Sequence, residues 1–340
     1  MPALEEFTPD DRGLRVVEAD PVIEEHRNVL YVPFRSWELD TDPSWGLYDQ
    51  DGKLIEAAAY RRGPSRKPVG QSPHASVPAA AIEPAPEEHY VVAGPLLFHY
   101  GHFLLTSLSR LWPEFGAGAR FAWFCHCTLD ILPHTPFVGA ALAGLGLDPK
   151  QFRRFTKPTR IARATVVAPA FQEDYLVHRV FARTCCRVGA HFAPELGQTP
   201  LPPAYLARTG LAAAVKSVAN EDAVCAALAA YGVEIVRPET LSFPEQLALF
   251  AGDRVIMGLA GSAFHTAAFV PPRSRLIAIE MKDNPNQLLL NRLAGLGMRH
   301  LRPTQEVPSV VGAGPVETVY TFPDPAAVAR DLLRAAQGFR

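Results

Sequence analysis

The sequence predicts an α/β protein whose second half builds a parallel sheet covered by helices on both faces. Three observations carry this expectation. From Ala204 to Leu296, apolar strand-like runs alternate with capped helical runs over short connections. Glycine and polar residues fall where strands hand over to helices, the rim at which an open α/β sheet binds its ligand. The proline-rich stretch Gly197–Pro203 separates this half from a first half that opens β-rich.

A chain of 340 residues is long enough for two domains, each with its own core. The expected division is 1–196, a linker at 197–203, and 204–340 with a terminal helix over 324–336. With 48% hydrophobic and 20% charged residues and a net charge of -2, no general electrostatic pull towards nucleic acid exists. No apolar run reaches about 18 residues, so no membrane span is expected. The opening Met-Pro-Ala-Leu-Glu-Glu-Phe is acidic and lacks a signal-peptide core. Five cysteines without framework spacing fit reduced thiols in a cytosol. Cys125-His126-Cys127 looks like a metal motif, but no second ligand pair follows at a useful distance and a zinc site needs four ligands. Buried thiols are expected there, and no metal or cofactor.

In the first half, Asn28–Pro33 is a short apolar run, and Gly46–Tyr60 reads as a hairpin around Asp49-Gln-Asp-Gly52. Arg61–Glu88 has no period and reads as a surface loop. Tyr90–Ala93, Leu96–Phe98, Arg120–Cys125 and Arg163–Pro169 are strand-like. Helices are predicted from Gly101 to Trp112, where Pro113 follows, over Thr135–Gly144, and over Tyr175–His191. Leu104, Leu108, Leu111 and Trp112 form one face of the first.

The second half is more regular. Strands are predicted at Ala204–Arg208, Val233–Val236, Arg254–Gly258, Leu276–Glu280 and His300–Arg302. Asn220 is expected to cap a helix through Tyr231, with Gly232 at its end. Ser242-Phe-Pro-Glu245 has the form of a capping box. Helices are expected over Ser262–Val270 and Asn286–Leu296, and Asp324-Pro325 opens the last one.

Several short motifs occur in a recognisable order. His99-Tyr-Gly-His-Phe-Leu-Leu-Thr-Ser-Leu-Ser-Arg-Leu-Trp112 is followed by Arg208, Asn220-Glu221, Pro238-Glu239, Gln246, Gly258 and Gly261-Ser262-Ala263-Phe-His265. Together they resemble glycosyltransferase family 61, which includes capsular-polysaccharide-type bacterial enzymes. His102 and Arg110 match the family pattern, while Thr106 stands at its acidic position and Ser109 at its proline position. The resemblance implies a GT-B architecture of two Rossmann-like domains facing a cleft, with a nucleotide-sugar donor on the second. It also implies inversion at the anomeric carbon.

An inverting transfer needs a base for the acceptor hydroxyl and positive or dipolar groups for the leaving diphosphate. His102, in the first turn of its helix, is the expected base, because the helix dipole disfavours the imidazolium; a capping histidine is the alternative. Thr106, one turn on, cannot hold an imidazolium as an acid would. Either another acid compensates or the protein is slow, altered or inactive. His99 is expected in the cleft, and Arg110 either helps neutralise the leaving group or forms a structural ion pair.

Arg208 follows a strand and presents a fork suited to phosphate oxygens. Gly258, Gly261, Ser262 and Ala263 form a strand–turn–helix whose backbone N–H groups suit a diphosphate, with His265 in the first turn. Glu280, ending the next strand, suits ribose hydroxyls or a salt bridge with Lys282 or Arg273. Glu239 suits a donor contact from a loop, Gln246 a cleft-supporting brace, and Glu221 and Glu245 helix first turns.

Acceptor contacts are expected from Trp37, Trp45 and the loop Arg61–Glu88. Asp40-Thr-Asp42 is read as a surface turn rather than a metal–diphosphate motif. The expected partners are a nucleotide-sugar donor and a glycan or lipid-linked glycan acceptor, at the cytoplasmic face of a membrane. A non-catalytic nucleotide-sugar-binding partner is the alternative, favoured by Thr106. A dinucleotide oxidoreductase is disfavoured by the lack of a Gly-x-Gly-x-x-Gly fingerprint.

Overall fold

The computed structural model describes residues 2–34, 45–63, 65–125, 132, 134–192, 201–209, 211, 214–312 and 316–339. The Asp40-Thr-Asp42 motif, Trp37, His126, Cys127 and most of the linker stretch lie outside the described residues. The chain divides into two compact units, Gly13–His191 and Met1–Arg12 with Phe192–Arg340.

In the second unit six strands pair in the order Leu4–Phe7, Met298–Pro303, Arg275–Ile279, Val255–Leu259, Ala204–Leu206, Glu234–Val236. The last five are mutually parallel, and Leu4–Phe7 adds an antiparallel edge. By chain position the parallel strands run 2-1-3-4-5, a doubly wound order with its switch point between Ala204–Leu206 and Val255–Leu259. Tyr205, Met257, Leu259, Ile277, Ile279 and Leu301 share one core with helices Glu221–Ala229 and Pro325–Gln337. Ile256, Leu276 and Ala278 between them are equally buried, so the sheet is covered on both faces, as its unbroken apolar strands require.

Local signals set the helices of this unit. Ser242 accepts from the Glu245 amide while Glu245 reaches back, completing the capping box of Phe243–Ala251. Asn220 precedes Glu221–Ala229 without capping it by its side chain. Its amide instead exchanges two hydrogen bonds with the Phe322 backbone, where a tertiary partner wins over the local one. The segment Ser262–Phe269 winds as a 3₁₀ helix rather than an α-helix. Phe264 meets Phe250, Phe269 meets Phe243, and His265 bonds Gln287, so packing between two helices sets its winding. A small sheet of Ala214–Val218, Val316–Tyr320 and Ser309–Val311 was not legible in the sequence.

The strand Leu4–Phe7 lies in the second unit, whereas residues 1–196 were expected to form the first domain. The reason is tertiary: Asp331 in the last helix accepts from the amides of Ala3 and Leu4.

The first unit carries a mixed seven-stranded sheet built on Ile23–Val32, Thr159–Val167, His89–Pro95 and Phe121–Phe124. The run Tyr90–Ala93 lies within the strand His89–Pro95, whereas Leu96–Phe98, expected as a strand, follows its end without regular structure. The hairpin at Asp49–Gly52 forms its turn, but its second arm gives way to a 3₁₀ turn at Glu56–Ala58. Trp45 is fully buried among Phe34, Tyr60 and Phe124, which removes it from the acceptor contacts expected of it. The predicted helix Tyr175–His191 begins only at Val180. Leu176–His178 instead pairs with Phe171–Gln172 and Arg15–Val17 as a strand. That pairing makes a hairpin whose turn, Glu173-Asp174-Tyr175, matters below.

Candidate active site: a buried carboxylate behind His102 and a guanidinium at the switch point

The segment Tyr100–Arg110 is helical throughout, with an α turn, five residues of π winding at Phe103–Ser107, and a closing 3₁₀ turn. It is buried on every side from Phe103 to Arg110, not on one face as predicted. Such wide turns recur at functional sites because they re-aim side chains. His102 stands where the α turn gives way to the π winding.

Arg110 is fully buried, and its guanidinium donates to the carbonyls of Ala57 at 2.6 Å, Val167 at 2.5 Å and Ala59 at 2.8 Å. Burial lowers its pKa to about 9, still high enough to stay charged at pH 7. Among the described residues it forms no ion pair; three carbonyls take its guanidinium, which ties the helical segment to a 3₁₀ turn and a strand. Gly94 makes room for it: φ is +69°, and a Cβ there would lie 2.5 Å from the Arg110 Cδ.

The acid missing at Thr106 is supplied from elsewhere. Glu173, in the turn of the hairpin, places Oε1 2.6 Å from the Thr106 hydroxyl, which donates to it. The same oxygen lies 3.3 Å from His102 Nδ1 and 3.4 Å from the Tyr60 hydroxyl. Arg62 Nε reaches Glu173 Oε2 at 3.3 Å. The neighbouring Asp174 takes a left-handed φ of 61°, which turns the hairpin tightly enough to aim Glu173 inward.

Burial pushes the Glu173 carboxyl up. The hydrogen bond and charge of His102, the Thr106 hydroxyl and Arg62 together outweigh it and bring the pKa to about 2. Burial first, and then the Glu173 charge, raise the Tyr60 phenol. A carboxylate oxygen can only accept, so His102 Nδ1 carries the hydrogen and Nε2 keeps the lone pair. The His102 side chain is 30% exposed while that of Glu173 is 3% exposed. His99 is exposed, its ring centroid 5.1 Å from that of His102.

The second unit gathers charge at the carboxyl ends of the two strands that flank the switch point. Arg208 follows Ala204–Leu206, and its backbone N–H donates to Glu221 Oε2 at 2.9 Å. Glu221 also accepts from the buried Tyr205 hydroxyl at 3.1 Å. Glu221 is thus buried and anchors Arg208, beyond the first-turn role expected of it. The Arg208 guanidinium crosses to the neighbouring strand, donating to the carbonyls of Leu259, Ala260 and Lys216. A Cβ on Gly261 would stand 1.9 Å from Arg208 Nη2, so this glycine is the space the guanidinium occupies. Gly258 serves packing, since a Cβ there would meet Leu206 at 3.0 Å.

Lys216, which sequence reasoning missed, belongs to the same cluster. Burial lowers its pKa, Glu280 raises it, and Arg208 and Lys282 lower it. Glu280 is 5% exposed, and its Oε1 accepts from His300 Nδ1 at 3.0 Å. Its partner is thus His300 on the next strand, not Lys282 or Arg273. Its Oε2 is buried with no hydrogen-bond partner among the described residues. Such an oxygen is costly unless a donor reaches it.

The remaining residues are less central. Gly261, Ser262 and Ala263 are half-buried at the start of the 3₁₀ segment. His265 is 6% exposed, with Nδ1 on Gln287 Oε1 at 2.9 Å, so that edge of the ring braces a helix. Glu239 is exposed in the turn Pro238–Thr240. Gln246 braces that turn, donating to the carbonyls of Pro238 and Leu241.

A doubly wound sheet with guanidinium and ammonium groups at its switch point offers positive charge at the rim where open α/β sheets take their ligands. The chain matches the family model for glycosyltransferase 61 over residues 100–277, more than half its length, and belongs to that family. The match includes His102, Glu173, Arg208 and Gly261 and stops short of Glu280. No curated protein matches the chain. Among the described residues, no helix is long and apolar enough to cross a membrane.

Proposed function

We propose that this protein is an inverting, metal-independent glycosyltransferase. It moves a sugar from a nucleotide-diphosphate donor to a glycan or lipid-linked glycan acceptor in capsule, exopolysaccharide or lipopolysaccharide synthesis. The proposal includes the GT-B arrangement and a cytoplasmic location at the inner face of the membrane. His102 Nε2 takes the proton of the acceptor hydroxyl as its oxygen attacks the anomeric carbon. The bond from that carbon to the donor's diphosphate oxygen breaks, and its electron pair leaves with the nucleoside diphosphate. Glu173 fixes the His102 tautomer and stabilises the imidazolium that forms. Arg208, Lys216 and the backbone N–H groups of Gly261 and Ser262 hold the diphosphate charge. Glu280 Oε2 accepts from a ribose hydroxyl.

The observation that carries this reading is the buried Glu173 carboxylate bonded to both Thr106 and His102. Thr106 at the acidic position favours the other reading, an impaired nucleotide-sugar-binding or assembly protein of the same pathway. Glu173 weighs against it, because this acid lies against His102. The test is a thermal-shift panel of UDP-, GDP-, CMP- and dTDP-sugars, then transfer assays with whichever donor binds, with and without EDTA. One donor class should raise Tm and support transfer that EDTA leaves intact. No shift with any donor ends the proposal; a shift without transfer to any acceptor favours the binding-protein reading.

A further inference from the structure

Beside the hairpin that carries Glu173 lies an open cavity of about 500 Å³, its lining including Glu56, Arg61, Arg66, Gln172, Tyr175 and Leu176. Its wall and the His102 site share one element, since Gln172 and Tyr175 flank Glu173 and Asp174 in sequence. The basic run Arg61-Arg62 divides between the two: Arg61 lines the cavity, and Arg62 reaches Glu173 at 3.3 Å.

The guanidiniums here are held in place. Arg61 pairs with Glu56 and donates to the Arg66 carbonyl. Arg66 donates to the Tyr175 hydroxyl at 3.0 Å, with its Cζ 4.5 Å from that ring's centroid. Arg15 lies over the same ring at 4.7 Å, its own amide donating to the Tyr175 carbonyl. Among the described lining residues, then, Arg61 and Arg66 stand against one carboxylate, Glu56, which Arg61 already engages, and Arg15 stacks on the lining Tyr175 ring. A guanidinium fixed by stacking keeps N–H donors for a ligand and loses little freedom on binding one. The volume suits one or two sugar rings.

We infer that this cavity binds an anionic group on the acceptor, so that the acceptor is a negatively charged saccharide rather than a neutral one. The inference rests on the glycosyltransferase reading and adds the acceptor's chemical class to it. A hexuronate carboxylate and a sugar phosphate offer the same paired oxygens to the arginine fork, and separate probes tell them apart.

The experiment is titration calorimetry on the full chain with three probes: a hexuronate-containing disaccharide, a disaccharide 1-phosphate, and the neutral disaccharide. At least one charged probe should bind about ten-fold or more tightly than the neutral one, with the preference shrinking as salt rises. Whichever charged probe binds better identifies the source of the anion. Arg66 is exposed, so Arg66→Gln and Arg66→Glu should both fold. The first should weaken the charged preference and the second abolish it, while donor-induced thermal shifts stay at the wild-type value. Equal binding of neutral and charged probes, no binding of either charged probe, or a preference that survives Arg66→Glu overturns the inference. Those outcomes leave the donor reading standing if the thermal shift persists; loss of the shift in the wild type removes the donor reading instead.

Discussion

Each unit buries one glutamate against the Nδ1 of a histidine, and the two pairs are completed in opposite ways. In the first, both Glu173 oxygens are engaged, by His102, Thr106, Tyr60 and Arg62, and the imidazole is the open member. In the second, the His300 side chain is 7% exposed, and it is the carboxylate that keeps an unused oxygen. A saturated acid behind an accessible ring is an arrangement for moving a proton through the ring. A closed ring behind an unsaturated acid is an arrangement for accepting a hydrogen bond from a ligand. On the proposed reading the same two residue types serve as base and as receptor, according to which partner the surrounding groups leave open.

The sharpest way to break this comparison is His102→Ala. Transfer should fall by on the order of 10²–10⁴-fold, while the donor-induced thermal shift is kept. Equal transfer by the variant would return His102 to the role of a helix residue. Next is Glu173→Gln, which keeps shape and removes charge; kcat should drop about 10²-fold, the scale on which orienting acids act.

Glu173→Gln also has a stability signature. The Glu173 carboxyl lies at about 2 in the fold against 4.5 for the free group, so the fold is stabilised when it is ionised. The contribution, roughly 3 kcal/mol, is fully present above the unfolded value and disappears as pH falls from about 4.5 towards 2. Urea midpoints of wild type and variant should therefore differ most above pH 5 and converge in acid. A gap that stays constant with pH counts against the carboxylate.

Smaller effects belong to the second unit. Gly261→Ala should displace the Arg208 guanidinium at a cost of about 1–3 kcal/mol, and the donor Kd should rise with it. An unchanged Tm and Kd would show that the guanidinium is not bound to that space. Glu280→Gln should weaken donor binding about ten-fold and leave Tm unchanged or slightly higher, since a buried unpaired carboxylate oxygen is removed. A fall in Tm with donor binding intact would make the Glu280–His300 pair a packing device.

How much of this could be read from the chain depended on distance along it. In the second unit the capping box, the turn glycines and the alternation of strand with helix are local signals. Each correctly located an element at the switch-point rim, though only the tertiary fold shows that the Arg208 guanidinium fills the space a side chain on Gly261 would need. The first unit's key contact joins residues 71 apart, and nothing beside Glu173 in sequence marks it. The nearest signal was negative: a hydroxyl at Thr106 where the family pattern has an acid left open either a carboxylate from elsewhere or a slow, altered or inactive protein. The run Leu176–His178 follows Tyr175 as smoothly as a helix start would, so the hairpin that positions Glu173 stayed hidden. Arg110 matched the family pattern, yet its three carbonyl partners come from Ala57, Ala59 and Val167, and no local pattern marks them.

The antiparallel strand Leu4–Phe7 makes the two units inseparable by a single cut. Cleaving between His191 and Phe192 and keeping only the C-terminal piece would strip the outer partner from Met298–Pro303 and leave Asp331 without the amides of Ala3 and Leu4. That piece would carry a bare, unpaired strand edge, a template for self-association. Supplying the first twelve residues as a peptide should cover that edge again and suppress the added self-association, making this strand a removable seam of the distal half.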